Sequence, residues 1–252
     1  MKVFVSWSGG KDCMLACYRV LQQPQTEVAF LLNMLTEDGT HSLSHNLPAD
    51  LIQEQARKMV PIPINRSEAE IGAIPTTLHQ KKVKAGMEVS IMQRRASRKD
   101  YEKEFKAAIS ELKQQGVEAG VFGDIDLQVH RDWIERVCKE MEIKAIFPLW
   151  EDKREDLLEE FIAAGFKSRI VVTDAATLGE EWLGREIDRE FMSTIKNLPH
   201  VDACGEKGEY HTFVYDGPVF REPVPFYDEE HRMIENHWVL KMGSGLRQEI
   251  RK

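Results

Sequence analysis

KVFVSWSGGKDCMLACYRVL, Lys2 to Leu21, joins an apolar run to a helical pattern through a corner of small and polar residues. KVFVSW reads as a short buried strand, and Met14, Leu15, Tyr18 and Leu21 recur at helical spacing. Between them stand Ser8-Gly9-Gly10-Lys11-Asp12. Gly9 and Gly10 admit positive φ and let backbone amides approach an anion closely. The helix beginning near Lys11 turns its unpaired N–H groups and positive dipole end toward that corner. Ser6 and Ser8 add hydroxyls and Lys11 a positive charge, so the stretch predicts a phosphate site. The spacing is too short for GxxxxGK[ST].

Outward from this corner, strands and helices alternate. EVAFLLNML (Glu27–Leu35) reads as a parallel strand buried on both faces. LPADLIQEQARKM is helical, VPIPI (60–64) a weak third strand, and 65–100 a loop with partial helix. Tyr101–Gln115 is a helix, Ala119–Ile125 a fourth strand, and LQVHRDWIERVCKEM a helix with Val129, Trp133, Val137 and Met141 on one side. KAIFPLW, a helix from Asp152 to Ala164 and SRIVVTDA continue the alternation. The expected fold is α/β: an open parallel, Rossmann-like sheet with helices on both faces. Ligands of such sheets bind beyond the carboxyl ends of the strands. The tail carries a helix near Ile187–Lys196 and glycine-punctuated β-like runs. This divides the chain into 1–142, nucleotide-binding, and 143–252, a smaller α+β module expected to bind substrate.

At 252 residues the chain can bury a core without disulfides. Cys13, Cys17, Cys138 and Cys204 form no CxxC pair, which predicts reduced thiols and a cytoplasmic protein. No apolar run approaches the ~20 residues of a membrane span. A formal charge of −8 argues against nucleic acid as the default partner. Locally the sign reverses: His79–Lys106 holds nine Lys/Arg against four acids, a solvated face or a landing strip for an acidic partner.

Two further stretches carry chemistry. Gly123 ends a strand where backbone can lie against a flat base, and Asp124 and Asp126 sit at the carboxyl edge, fit for a ribose or a metal. His130-Arg131-Asp132 mimics a kinase loop but lies in a helical pattern, with Val137 where that motif needs Asn. In GEKGEYHTFVYDGP, Glu206, Glu209 and His211 cluster between turns, suited to proton transfer or metal binding. His41 and His45, four apart, could share a helix face; two ligands alone are weak evidence for a metal, so they are read as polar residues near the nucleotide.

SGGKD resembles the SGGxDS phosphate loop of the PP-loop ATP pyrophosphatases, with Cys13 in place of the last Ser. Together SGGKD (8–12), GDI with HRDWIERVC (123–138), FPLW (147–150), WLGR (182–185) and GEKGEYHTFVYDGPVF (205–220) resemble the diphthine–ammonia ligase family over nearly the whole chain. The family reads GENGEFHT where Lys207 here replaces Asn. The resemblance implies that Ser8–Asp12 hold the pyrophosphate end of ATP and that Asp12 places Mg²⁺. It also implies an acceptor pocket lined by Glu206, Lys207, Gly208, Glu209, His211 and Thr212. The implied reaction adenylates a carboxylate, that of diphthine on elongation factor 2, and transfers ammonia taken as free ammonium. An amide ligase acting on another carboxylate, a tRNA-modifying PP-loop enzyme and a non-catalytic nucleotide-binding protein are the alternatives.

Overall fold

The computed structural model describes residues 1–59, 89–97 and 99–245; the expected 60–64 strand and most of the 65–100 loop lie outside them. β1 (Lys2–Ser6), β2 (Glu27–Leu35), β3 (Ser90–Arg95), β4 (Ala119–Val121) and β5 (Lys144–Ile146) form a parallel sheet of order β3-β2-β1-β4-β5. The chain winds outward from β1 to β3, then crosses back to β4, so the topological switch point lies between the carboxyl ends of β1 and β4. α1 (Lys11–Leu21), α2 (Ala49–Lys58) and α5 (Arg154–Ala163) pack on one face, α3 (Tyr101–Gln114) and α4 (Gln128–Glu140) on the other. The pleat of β1 explains the two layers: Val3 and Val5 join the first cluster and Phe4 the second, all fully buried. Buried Asn33 of β2 donates to the Trp7 carbonyl at 2.7 Å and fixes the exit of β1.

β6 (Lys167–Asp174) does not extend the parallel sheet, contrary to the strand–helix alternation. It pairs antiparallel with β7 (Tyr210–Asp216) and β9 (His237–Ser244), and β8 (Phe226–Ile234) completes a four-stranded sheet of order β7-β6-β9-β8. The reason is local. Gly165 ends α5 with φ +86°, and Phe166 turns back to stack on Phe161 at 5.0 Å and meet Tyr18 of α1 edge-on at 5.4 Å. The strand is thereby held over α1 instead of at the sheet's edge. α6 (Arg189–Ile195) precedes β7, its N-terminus capped by Asp188, which accepts from Phe191 N. Residues of both sheets share one core cluster. β5 pairs with β4, so Lys144–Ile146 lies with the parallel sheet, although the sequence places the second module from residue 143.

Three local expectations are corrected. Residues 90–95 are a strand, not loop, because the long β2 offers a free edge and Ile91 and Met92 pack on opposite clusters. The buried side of α4 is Ile134, Val137 and Cys138, while Val129 is 79% exposed. His41 and His45 lie in a bridge and a turn, not on a helix. All four cysteines are free and buried, and no described helix is long and apolar enough to cross a membrane.

Candidate active site

Ser8–Asp12 sits at the carboxyl end of β1 and is clamped from two sides. On one side Gln55, fully buried on α2, accepts from Trp7 Nε1 at 2.8 Å and donates to the carbonyls of Gly9 (2.9 Å) and Val214 (2.6 Å). On the other, β7 lies along the loop: Val214 N donates to Gly9 O at 3.0 Å, and Lys11 N to Thr212 Oγ1 at 3.0 Å. The two glycines serve different ends. Gly9 has φ +85°, the left-handed turn foreseen; Gly10 is extended at φ −92°, ψ −177° and is small because His45 fills the space a Cβ would take. Ser8 Oγ accepts from Gly10 N at 3.4 Å and lies 3.4 Å from Cys13 Sγ, whose thiol donates to Gly10 O at 3.2 Å. Burial pushes that thiol's pKa up, opposed by the Ser8 hydroxyl and the Ser8 and Gly9 amides. Among the described residues the amides of Asp12 and Cys13 donate to no protein acceptor, leaving the first turn of α1 open to an anion.

Lys11 is held in place. It is 5% exposed, and its ammonium bonds both Asp12 oxygens (2.9 and 2.8 Å) and the Cys204 carbonyl. Burial works against its charge, but Asp12, then Tyr210, Cys204 and Glu206, outweigh burial and raise its pKa. Gly123, just beyond β4, presses on the same point, since a Cβ there would lie 2.8 Å from Asp12 C and Cys13 N. The loop after β4 thus brings Asp124 to Asp12. Burial raises the Asp124 pKa, with His130 Nδ1, 3.4 Å away, pulling it down. Asp126 is taken up by Arg154 at 2.6 and 2.9 Å, and Arg154 also pairs with Asp202. Glu206 faces this group. Burial, then the charge of Asp12, pushes its carboxyl up to about 7, while Lys11 and Arg154 hold it down.

The 205–212 stretch divides into residues that reach this cluster and residues that build it. Glu209 is 3% exposed, with Oε1 accepting from Asp202 N at 2.8 Å and Oε2 from Lys207 N at 3.0 Å. Its carboxylate is directed into its own loop and not toward an acceptor. Lys207 is exposed, and Gly208, at φ +90°, has open space around it. His211 stacks on His45 with ring centroids 4.6 Å apart. Burial lowers the His45 pKa to about 4 and that of His211 to about 3, so both rings are neutral at pH 7. His45 Nδ1 lies 2.9 Å from the Thr212 carbonyl, which can only accept, so Nδ1 carries the proton.

This geometry meets an independent observation. The diphthamide synthase N-terminal domain model matches residues 1–74 and 75–145, and the C-terminal domain model matches 153–248. The chain belongs to the diphthamide synthase family. Proteins named diphthine–ammonia ligase are similar over most of it. The one from Schizosaccharomyces pombe is 25% identical across 91% of this chain, which spans 37% of that longer protein; the one from Mus musculus is 26% identical across 89% of this chain and 82% of its own. The human protein is 31% identical over 114 residues, 44% of this chain and 43% of its own.

For this family member, Gln55 and Arg154 escape a reading of motifs. Gln55 left a trace, a polar residue on the apolar Leu51–Ile52–Ala56 face of α2. Arg154 left none, because its partners Asp126 and Asp202 lie far along the chain. The inward Glu209 leads to a prediction. Glu209→Gln keeps the shape but sets an amide N–H against one of two backbone N–H donors. The expected result is a stability loss on the order of 1–3 kcal/mol with faster amide exchange over 202–209. Wild-type stability and exchange would show that this carboxylate does not hold the loop.

Proposed function

We propose that the protein is an ATP-dependent, AMP-forming carboxylate–ammonia ligase. The observation that carries this reading is the open first turn of α1 at the β1/β4 switch point, closed over by the Cys204–Thr212 segment bearing Lys11's carbonyl partner and Glu206. The loop and Lys11 bind the pyrophosphate end of ATP. An acceptor carboxylate oxygen attacks the α-phosphorus, and the bond to the β-phosphate bridging oxygen breaks, giving acyl-adenylate and pyrophosphate. Ammonia then attacks the acyl carbon and AMP leaves with the C–O bonding pair. Amides and Lys11 aimed at the phosphate charge are the main service a protein can give the first step.

The second step needs ammonia, not ammonium. Glu206 is the group for that proton: a carboxylate titrating near pH 7 is matched to the task. It shares the cluster with Asp12 and Asp124, whose charge favours a cation there. The acceptor is read as diphthine on elongation factor 2, after the relatives' names, and the compartment as the cytoplasm. The described residues contain no group of three or more His, Cys, Asp and Glu able to hold a metal, and Lys11 occupies both Asp12 oxygens. Magnesium, if it accompanies ATP, is held chiefly by the phosphates.

The test is stoichiometry. With ATP, ammonium and the acceptor, AMP, pyrophosphate and amide should form in equal amounts. ADP and phosphate as products, or pyrophosphate release with no amide from any carboxylate acceptor, would overturn the ligase reading.

A further inference from the structure

Arg154 opens α5, at the end of a helix where the backbone dipole disfavours a cation. Glu155 and Asp156 in the same turn suit that end; Arg154 does not, so its placement answers to something outside the helix. Its guanidinium meets two carboxylates at once. Nε and Nη2 form a fork on Asp126 at 2.9 and 2.6 Å, and Nη1 pairs with Asp202. A planar group with donors on two edges can hold both in fixed geometry, which an ammonium cannot.

The two carboxylates belong to different halves of the site. Asp126 lies two residues past Asp124, on the loop that Gly123 seats against the start of α1. Asp202 begins the segment that closes over the phosphate loop. Its side chain is 6% exposed, and its Oδ1 accepts from Cys204 N at 2.6 Å. Cys204 is held a second time, since its thiol donates to the Arg154 carbonyl at 2.9 Å. The Cys204 carbonyl in turn accepts from Lys11, and Glu206 stands two residues further on. Arg154 thus reaches 28 residues back to Asp126 and 50 forward to Cys204. Its charge is also felt at Glu206, whose carboxyl it holds down.

Stability alone does not account for this bridge. The Asp126 side chain is 38% exposed, and an exposed pair contributes little. What the fork supplies is geometry: two parallel N–H···O bonds fix the distance and angle of one loop to the other. We propose that Arg154 is a positioning residue that couples the two chemical steps, holding the Asp202–Glu206 segment against the nucleotide loop so that the acyl-adenylate meets ammonia before water. The inference rests on the ligase reading and adds to it a residue that acts through Cys204 and Glu206. With the segment displaced, water attacks the acyl carbon in ammonia's place. The carboxylate then re-forms, AMP leaves with the C–O bonding pair, and the proton goes to solvent.

The measurement is amide formed per pyrophosphate released, with ATP, ammonium and elongation factor 2 carrying diphthine. The wild type should form the two in equal amounts. Arg154→Gln should lower the ratio about 10-fold, within the roughly 10²-fold that a misplacement of about 1 Å can cost. Arg154→Lys keeps the charge but not the fork, and its ratio should also fall. Asp126→Asn alters only an exposed carboxylate; it should lower the ratio too, and added to Arg154→Gln it should lower it no further. Amide and pyrophosphate falling together, with the ratio unchanged in Arg154→Gln and Asp126→Asn, would make Arg154 a structural residue and overturn the proposal. So would a wild-type ratio in Arg154→Lys, or losses that multiply in the double variant. Hydrogen exchange of the ATP-free protein reads the bridge without turnover. Arg154→Gln should speed exchange at both 123–126 and 202–206, and a change at neither would overturn the bridge. A wild type that releases pyrophosphate but forms no amide would instead remove the ligase reading, and the exchange result then decides the bridge alone.

Discussion

Gly10→Ala should reduce ATP-dependent pyrophosphate release by about 10²-fold or more, the scale set by a misplacement of about 1 Å at a reacting centre. The backbone is not the obstacle, because φ −92° and ψ −177° suit any residue. Space is. A methyl group would lie 2.2 Å from His45 Cε1, 2.8 Å from Nδ1 and 3.1 Å from the Thr212 carbonyl oxygen. His45 cannot simply swing away, since it is stacked on His211 at 4.6 Å and bonded to that same carbonyl. Either the ring pair or the start of α1 must move, and the latter carries the amides proposed to face the phosphate. The stability loss should be about 1–3 kcal/mol, as for other overpacked sites. His45→Ala placed in the same chain should restore part of the lost ATP affinity. Gly208→Ala is the control: it bears positive φ but meets nothing within 4 Å. Calorimetric ATP binding, pyrophosphate release and thermal midpoints on these variants decide the matter. Wild-type turnover in Gly10→Ala would remove the steric account of the loop.

What could be read in the sequence follows the distance over which each feature is determined. The strand–corner–helix of Lys2–Leu21 is local: apolar run, glycines and helical spacing lie within one stretch, and the structure reproduces it. β3 is not local. Gln93, Arg94 and Arg95 carry no apolar signal, and the strand exists because Phe30–Leu35 of β2 pairs with it. For β6 the residues show a strand but not its direction, since an apolar run fits parallel and antiparallel partners alike; its partners β7 and β9 come from the tail. The site divides in the same way. Residue types named Glu206, Glu209 and His211, but only the fold separates a carboxylate facing Asp12 from one absorbed by the Asp202 and Lys207 amides. His45 acts through Thr212, which lies 167 residues away in the chain.

The second large effect belongs to Lys11. Lys11→Met keeps the length and volume of the stem but deletes the charge. In the wild type that charge sits among Asp12, Glu206 and Asp124, with Arg154 the other cation of the cluster. Its loss should lower pyrophosphate release by about 10²–10³-fold, as for removal of one preorganised donor from a developing charge. A second consequence separates this role from simple packing. Lys11 is one of the two cations that hold Glu206 down, so removing it moves that carboxyl above its wild-type value of about 7. In the proposed mechanism amide formation needs Glu206 ionised, so the wild-type rate should rise with pH through about 7, and the midpoint of the variant should lie higher. Stability runs the other way. The folded protein holds the Glu206 proton more tightly than the unfolded chain, with a pKa raised from 4.5 to about 7. That contribution is complete below 4.5 and is lost as pH rises through about 7. Lys11→Met should therefore be closest to the wild type in stability at acid pH and furthest from it above neutrality. Paired pH–rate profiles and thermal midpoints measure both. A reduced rate with an unshifted midpoint and a pH-independent stability difference would assign Lys11 to packing under the loop, and Glu206 would lose its place as the proton acceptor.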